Sequence, residues 1–225
     1  MSDPYLPAPQ TTPTRNAARV SYDRAAVHAV LDEALICHVG FVVDGEPIVL
    51  PQLHARVGDR LYLHGSTGAR ALQGARGAGL QVCVTVTLTD GLVLARSAFH
   101  HSINYRSVVA HGTAHLVDDD AEKHAALTAL VEAVAPGRSE HTRPPSRKEL
   151  AATAVLRLEL AAVSLKARTG DPRDDPQDLD LPHWAGVLPL YTAAGVPSPS
   201  ADLPTSVSTP THVAGWTRSA GSTVP

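Results

Sequence analysis

The sequence has few aromatic residues and only two cysteines among its 225 residues. Aromatic side chains make up 4% of the chain, so the core must consist mainly of Val, Leu and Ala. A disulfide framework is not expected, because Cys37 and Cys83 each lie inside an apolar run, where a thiol behaves as a small buried hydrophobe. With 44% apolar residues, the chain can nevertheless bury a core of ordinary size.

The sequence also lacks a basic stripe and a long hydrophobic run. Its formal charge is −3, and this balance argues against a nucleic-acid-binding surface. Residues 1–20 contain no apolar core of signal-peptide type, and no run of about 18 apolar residues occurs anywhere. We therefore expect a cytoplasmic protein that contacts neither nucleic acid nor a membrane.

Motifs of hydrolases and metal sites are missing as well. No G-x-S-x-G elbow occurs, and we expect neither cysteine to stand beside a catalytic base. His111 and His115 fall on one face of a predicted strand, but two such residues are ~13 Å apart, too far to share one zinc ion. No metal site is predicted, whereas a haem held by one histidine stays open.

Composition divides the chain into three segments. Residues 1–18 are rich in Pro, Thr and Ala, which predicts a flexible N-terminal arm. Residues 19–168 carry the periodic apolar patterns of one folded domain. Residues 169–225 are rich in Pro, Ser and Thr and predict an extended arm, in which the apolar segment 183–191 docks on its own domain or on a partner subunit.

The first part of the domain reads as a helix followed by strands. Ser21 is the predicted helix cap. Four apolar residues then follow with helical spacing: Val27, Val30, Leu31 and Ala34. The pair Asp44-Gly45 separates two β-prone runs and suits a type I′ hairpin turn. A second turn is predicted around residues 58–59.

The second part adds further strands and one more helix. A turn is predicted at Asp90-Gly91, and a helix should begin near residues 118–120 and end before Pro136-Gly137. The run "TAVLRLELAAVSLKAR" is predicted to be one final strand. Six or seven strands with short antiparallel connections predict a mainly β fold, a closed or nearly closed barrel with flanking helices.

The segment "LYLHGSTGAR", residues 61–70, is the first candidate binding motif. A strand ends at a Gly-Ser-Thr-Gly turn, where Ser66 or Thr67 can cap a short helix that ends near Gly77 or Gly79. Backbone N–H groups at a helix N-terminus favour an anion, and the planar fork of Arg70 matches phosphate oxygens. The alternative is an ordinary capped helix with a solvated arginine.

The segment "LARSAFHHSINYRSV", residues 94–108, is the second candidate. Its polar side chains, among them His100, His101 and Arg106, lie between two sheet-forming runs. Because a connection between paired strands crosses the end of a barrel, we interpret this segment as part of a binding site. The alternative is a surface loop whose histidines and arginines face water.

Together these motifs resemble a known family. "LYLHG…R" and "NYRSV…GTAHLV", within residues 19–168, resemble the FMN-binding split barrels related to pyridoxamine 5′-phosphate oxidase, in particular the nitroimidazole-resistance flavoproteins. The resemblance implies a six-stranded antiparallel split β-barrel that forms a homodimer. It also implies one FMN at each end of the subunit interface.

The resemblance further implies which residues hold FMN. Ser66 and Arg70, together with Thr67, hold the phosphate, and His64 lies close to the flavin. Because an imidazole changes protonation near neutral pH, His64 is also the predicted proton donor. The strand that meets the isoalloxazine ring contains Leu50, Pro51, Gln52 and Leu53. The remaining predicted cofactor-binding residues are His100, His101, Asn104, Tyr105, Arg106, Ser107 and, from the partner subunit, Trp184.

The activity that the resemblance implies is electron or hydride transfer from reduced FMN to a small organic acceptor, such as a nitro compound. Oxidation of pyridoxamine 5′-phosphate itself is not expected, because Ala71 stands where those oxidases have a lysine and the tail reads "HWAGVLPL" instead of Arg-x-His. The alternatives are a non-catalytic FMN- or haem-binding sensor, store or carrier, and a structural dimer with an empty cleft.

Overall fold

The computed structural model describes residues 3–68, 75 and 77–217. The strands are β1 (Val20–Ser21), β2 (Ile36–Val43), β3 (Glu46–Val57), β4 (Arg60–Ser66), β5 (Leu80–Leu94), β6 (Ser102–Leu116), β7 (Thr153–Glu159), β8 (Ala162–Arg168) and β9 (Gly186–Pro189). The helices are α1 (Arg24–Glu33), α2 (Asp120–Val134), α3 (Arg147–Ala152) and α4 (Thr211–Ala214). Within these ranges no helix is long and apolar enough to cross a membrane.

Six of the strands close into a barrel. The strand order is β1-β8-β6-β7-β4-β3-β2-β5-β9, and β5 pairs back with β6, so β2 to β7 form a complete antiparallel ring. Strand β6 is shared, because β8 pairs with its residues 105–111 and β7 with its residues 114–116. The predicted mainly β fold with a six-stranded antiparallel barrel is confirmed.

Helix α1 begins two residues later than predicted. Its cap is Asp23, whose carboxylate accepts a 2.7 Å hydrogen bond from the Ala26 N–H. Ser21 belongs to β1 instead, and its hydroxyl accepts a bond from the Asp23 N–H. The predicted apolar face is correct, and its residues Val27, Val30, Leu31 and Ala34 are all buried.

Two Asp-Gly pairs adopt different structures. Asp44 and Gly45 have φ angles of 54° and 83° and form the predicted tight turn between β2 and β3. Asp90 and Gly91 do not form a turn. They lie inside the continuous strand β5, where the pairing register with β6 shifts between Thr89 and Gly91, the pattern of a β-bulge.

The final predicted strand is two strands. The chain leaves β7 at Leu160, whose N–H bonds to the Asp59 carbonyl, and starts β8 at Ala162. Strand β7 pairs with β4, whereas β8 pairs with β6, so the chain must change neighbours at this point. This adds one strand, but β5 unites two predicted strands, so the described residues exceed the predicted six or seven strands because of the short β1 and β9.

The core is aliphatic, as the composition predicts. Inward-facing side chains alternate along the strands, as in Val82, Val84 and Val86 of β5. Cys37 is fully buried among them, and its burial raises the pKa of the thiol to about 12. A thiol in this state is inert at neutral pH and acts only as packing.

Both terminal segments contact the domain. Tyr5 belongs to the segment predicted to be a flexible arm, yet it is buried in the core, and its hydroxyl donates to Asp59. On the C-terminal side, β9 pairs with residues 91–94 of β5. The apolar segment 183–191 therefore docks on its own domain and extends the sheet.

Candidate functional site

Strands β3 and β4 separate part of the way along their length. Their ladder contains four residue pairs and ends where His54 pairs with Leu63. Beyond this pair, residues 46–53 of β3 pair only with β2, and residues 64–66 of β4 pair only with β7. We call the opening between these two segments the β3–β4 split.

The split exposes one edge of β3. The two residues that flank a two-residue hairpin turn form a hydrogen-bonded pair, and hydrogen-bonded and non-hydrogen-bonded pairs then alternate along the ladder. In β3, the residues of the non-hydrogen-bonded pairs direct their backbone groups away from β2. These residues are Pro47, Val49, Pro51 and Leu53. The described residues provide no ladder partner for this edge. Both prolines fall where a missing N–H loses no ladder bond. The edge therefore presents mainly carbonyl groups, with N–H groups at Val49 and Leu53.

The predicted ring-binding residues Leu50, Pro51, Gln52 and Leu53 lie along this edge. Leu50 faces the barrel interior, because its partner across the ladder is the buried Val39. Its side chain is nevertheless 46% exposed, since no strand covers it at the split. An apolar surface beside unpaired backbone groups suits a flat heterocycle with polar edges.

The other side of the split carries the next group of predicted residues. His64 directly follows Leu63, the last residue of β4 that pairs with β3. The buried Nδ1 of His64 has no hydrogen-bond partner among the described residues. Ser66 and Thr67 follow, both exposed. Arg70 and most of the predicted short helix lie outside the described residues. The structure thus places His64, Ser66 and Thr67 opposite the β3 edge.

The predicted residues of β6 are engaged within the chain. Asn104 is buried, accepts a hydrogen bond from Arg168 and donates one to the Gly170 carbonyl. Ser107 donates to the Val86 carbonyl over 2.9 Å. Tyr105 is half-buried, opposite Thr89 on one side and Arg168 on the other.

Arg106 is held between two carboxylates. Its guanidinium donates to Asp90 over 2.7 and 3.0 Å and to Glu33 over 2.6 and 2.9 Å. These hydrogen bonds raise the pKa of Arg106 above its ordinary value. Because both forks of the guanidinium are occupied, the structure gives Arg106 the role of a bridge between α1, β5 and β6.

The remaining predicted residues surround the connection between β5 and β6. His100 Nε2 lies 3.2 Å from a carboxylate oxygen of Asp175, and His101 Nδ1 lies 3.0 Å from the Ser97 carbonyl. Trp184 packs beside Gly186, where an added Cβ would lie 2.9 Å from the indole ring, and it is still 68% exposed. These residues are not at the β3–β4 split of the same chain.

A continuous surface runs from the β3–β4 split across the sheet to β6. The outward-facing residues of the neighbouring strands β3, β2, β5 and β6 form this surface, which we call the outer face. Its members are Ile36, His38, Gly40, Val42, Val49, Pro51, Leu53, Cys83, Thr85, Thr87, Ser107, Val109 and His111. None of these side chains is an acid, a lysine or an arginine. The outer face has the composition of a contact surface.

Sequence reasoning missed the acidic residues that hold the β5–β6 connection. The buried carboxylate of Asp174 accepts bonds from the Arg96 and Ser97 N–H groups and from the Arg96 guanidinium. Burial alone would raise the pKa of Asp174, but these donors outweigh it and lower the pKa. The acid-rich run "DPRDDPQD", residues 171–178, was the available signal in the sequence.

The family model described as pyridoxamine 5′-phosphate oxidase matches residues 23–167. The flavocytochrome Anf3 from Azotobacter vinelandii is 38% identical, with 95% of this chain and 99% of that chain covered and a TM-score of 0.88. An FAD- and haem-binding protein from Mycobacterium smegmatis is 39% identical, with 89% and 98% covered and a TM-score of 0.84. A candidate 5-nitroimidazole antibiotic resistance protein from Bacteroides thetaiotaomicron shares the fold at 22% identity, with 65% and 85% covered and a TM-score of 0.55. No curated protein matches the chain.

Proposed function

Because the chain belongs to the pyridoxamine 5′-phosphate oxidase family, we propose that it is a flavin-binding redox protein with its flavin at the β3–β4 split. The observation that carries the proposal is the 38–39% identity, over nearly the full length, to a flavocytochrome and to an FAD- and haem-binding protein. Identity at this level over the whole fold supports the same class of ligand here.

The residues at the split fit a flavin ring. The outward carbonyls of Pro47, Val49 and Pro51 can accept hydrogen bonds, and the N–H groups of Val49 and Leu53 can donate them. A flavin ring has both donors and acceptors on its pyrimidine side. The exposed apolar surface of Leu50 would cover the ring and keep water from it.

The residues across the split fit a phosphate. Ser66 and Thr67 carry exposed hydroxyl groups at the end of β4, and Arg70 follows in the sequence. In the proposal these three residues hold the flavin phosphate, as the family resemblance implies. FMN is the expected flavin. The similar Mycobacterium smegmatis protein is named for FAD, so the flavin released from the purified protein has to be identified as FMN or FAD.

When bound, a flavin supplies hydride or one-electron transfer and a haem supplies one-electron transfer. The chain's own contribution is the position of a proton. The buried Nδ1 of His64 has no hydrogen-bond partner in the described ranges. In the proposal, the His64 side chain would donate a proton to a small organic acceptor or would ligate a haem iron. The described residues contain no cluster of three or more potential metal ligands. A haem iron would therefore be held by one or two separate histidine side chains.

The first test is the visible spectrum of the purified protein. We expect flavin bands together with a Soret band, because both similar proteins are named for both kinds of group. The protein is then reduced without oxygen and mixed with a nitroaromatic compound or with oxygen. Reoxidation much faster than that of free FMN supports an oxidoreductase, and equal rates support a carrier or sensor. A colourless protein that takes up neither flavin nor haem removes the proposal.

The variant His64→Gln separates the two roles of His64 in the same experiment. Glutamine keeps a hydrogen-bonding side chain but does not titrate. Loss of the Soret band alone would make His64 a haem ligand, whereas slow reoxidation with both bands intact would make it the proton donor. An unchanged spectrum and unchanged rates would exclude both roles.

We also propose that the outer face joins two copies of the chain, with the flavin at the interface. Val42 and Val49 are exposed on this face, and it carries no charged side chain that would have to be desolvated. Such a surface buries at low cost.

A charge at the centre of the outer face should separate the two copies. Thr85 lies between His38 and Val109, so Thr85→Asp places a carboxylate inside the contact in both subunits. Each desolvated carboxylate costs several kcal/mol, so we expect the dimer to weaken by about a hundredfold or more. Light scattering after gel filtration measures the mass. Thr192→Asp, in the exposed tail, should leave the mass unchanged, and a wild-type protein of one chain mass would contradict the dimer.

A further inference from the structure

A cavity of about 340 Å³ lies where β8 ends. Three arginines line it: Arg19 from the segment before β1, Arg168 at the end of β8, and Arg173 from the segment that follows. Asn16 and Thr169 add polar groups, and the other lining residues are alanines. None of these lining residues, all from the described part of the chain, has a carboxylate side chain. We call this feature the three-arginine cavity.

Arg168 is buried, and no described residue forms an ion pair with it. It is 9% exposed, and its guanidinium donates to three neutral oxygens, on the Asn104 side chain and on the main chain of Gly170 and Asp171. Burial and the positive charges of Arg19 and Arg173 lower the pKa of Arg168. A buried charge is stable only when an opposite charge compensates it, so this side of the cavity lacks a negative partner.

Two of the nearby acids are occupied elsewhere. Asp174 is bound to Arg96, and Asp175 pairs with His100, so neither carboxylate turns to the cavity. Within the described ranges, Arg19 and Arg173 form no ion pair, and both are exposed at its rim. The three guanidinium groups therefore give the cavity a positive charge that the ion pairs of the described residues do not neutralise.

We propose that the three-arginine cavity binds an organic phosphate that carries at least two negative charges. The planar forks of Arg19 and Arg173 match pairs of phosphate oxygens, and the buried Arg168 supplies a fixed charge behind them. The volume lies at the lower end of the range for small-molecule sites, about 300–1,000 Å³, and suits a phosphorylated compound of nucleotide size.

This site is separate from the proposed flavin site within one chain. Arg168 pairs with Tyr105 near the start of β6. His64 instead pairs with Val155 of β7, whose carbonyl accepts a hydrogen bond from Val117, just beyond the other end of β6. The phosphate can come from two sources. It is either a free phosphorylated metabolite or the phosphate of a nucleotide cofactor that reaches over from a second copy of the chain.

Inorganic pyrophosphate is the probe for the free source. The full chain, as purified and with its retained cofactors, is titrated calorimetrically at physiological salt. We expect one site per chain, and Arg19→Gln or Arg173→Gln should each weaken binding about tenfold or more, because each removes a charge-assisted contact. Both residues are exposed, so neither substitution is expected to disturb folding. The matched control is Arg15→Gln, an exposed arginine of the same segment that does not line the cavity.

The flavin content of the same variants tests the other source. If Arg19→Gln and Arg173→Gln lose flavin while Arg15→Gln keeps it, the phosphate in the cavity belongs to the cofactor. If they keep flavin but lose pyrophosphate binding, the ligand is a free phosphorylated compound. If neither quantity changes, the site does not exist. A colourless wild-type protein would contradict the proposed flavin function without affecting the pyrophosphate measurement.

Discussion

Replacing Arg106 with methionine is expected to lower the free energy of unfolding by about 2–4 kcal/mol, because the change removes the guanidinium that Glu33 and Asp90 share. The side chains of Arg106, Glu33 and Asp90 are 19%, 16% and 30% exposed, so water screens them only in part. Methionine has a similar volume and keeps the packing of the stem. Urea denaturation followed by circular dichroism measures the difference.

A matched control separates a buried bridge from an ordinary ion pair. Arg143 pairs with Glu149 on the surface, where water screens both charges, so Arg143→Met should leave the free energy of unfolding close to that of the wild type. Adding Glu33→Gln and Asp90→Asn to Arg106→Met should recover part of the loss, since the stranded charges are removed. If Arg106→Met instead unfolds like the wild type but loses its flavin, the residue serves the cofactor and the structural role is contradicted.

Truncation of Leu158 to alanine should cost about 3–5 kcal/mol, the range for a large buried side chain whose cavity cannot collapse. Leu158 is 1% exposed and lies opposite Leu61 on β4 and Ala114 on β6, so it fills the barrel where β7 closes the ring. Urea denaturation measures the loss. Leu188→Ala, on the exposed strand β9, should stay within about 0.5 kcal/mol of the wild type.

Gly112 provides a check on the cause of this loss. A Cβ at Gly112 would lie 2.8 Å from Leu158 Cδ1, so Gly112→Ala should destabilise the wild type by overpacking. In the Leu158→Ala background the same methyl group enters the new space, so its cost should fall or change sign. Strictly additive effects of the two substitutions would mean that Leu158 does not fill the space over Gly112.

The two Asp-Gly pairs mark the limit of local sequence patterns for the fold. Asp44-Gly45 and Asp90-Gly91 are the same dipeptide between β-prone runs, and both were predicted to be turns. The first is a turn, because β2 and β3 fold back on each other there. The second became a bulge, because β6 continues to pair with β5 on both sides of it. The dipeptide allows either structure, and the pairing partner decides.

In the candidate site, too, local sequence patterns located some residues but did not reveal contacts between distant parts of the chain. Leu50 to Leu53 and His64 to Thr67 could be predicted together, because the motif resemblance placed them on adjacent strands and the ladder between β3 and β4 brings them to one split. The binding role predicted for Arg106 overlooked its carboxylate partners. Glu33 is 73 residues away in the sequence, and no local pattern reports such a contact.

The sequence by itself determined the strand character, the β2–β3 turn, the apolar face of α1 and the aliphatic core, because side-chain period and turn chemistry act over a few residues. Only the tertiary structure decided which charges are neutralised. Arg106 is enclosed by two acids, whereas Arg19, Arg168 and Arg173 meet around one cavity that no described acidic residue lines. The physical reason is that electrostatic compensation depends on distance in space, and the packing of remote elements sets that distance.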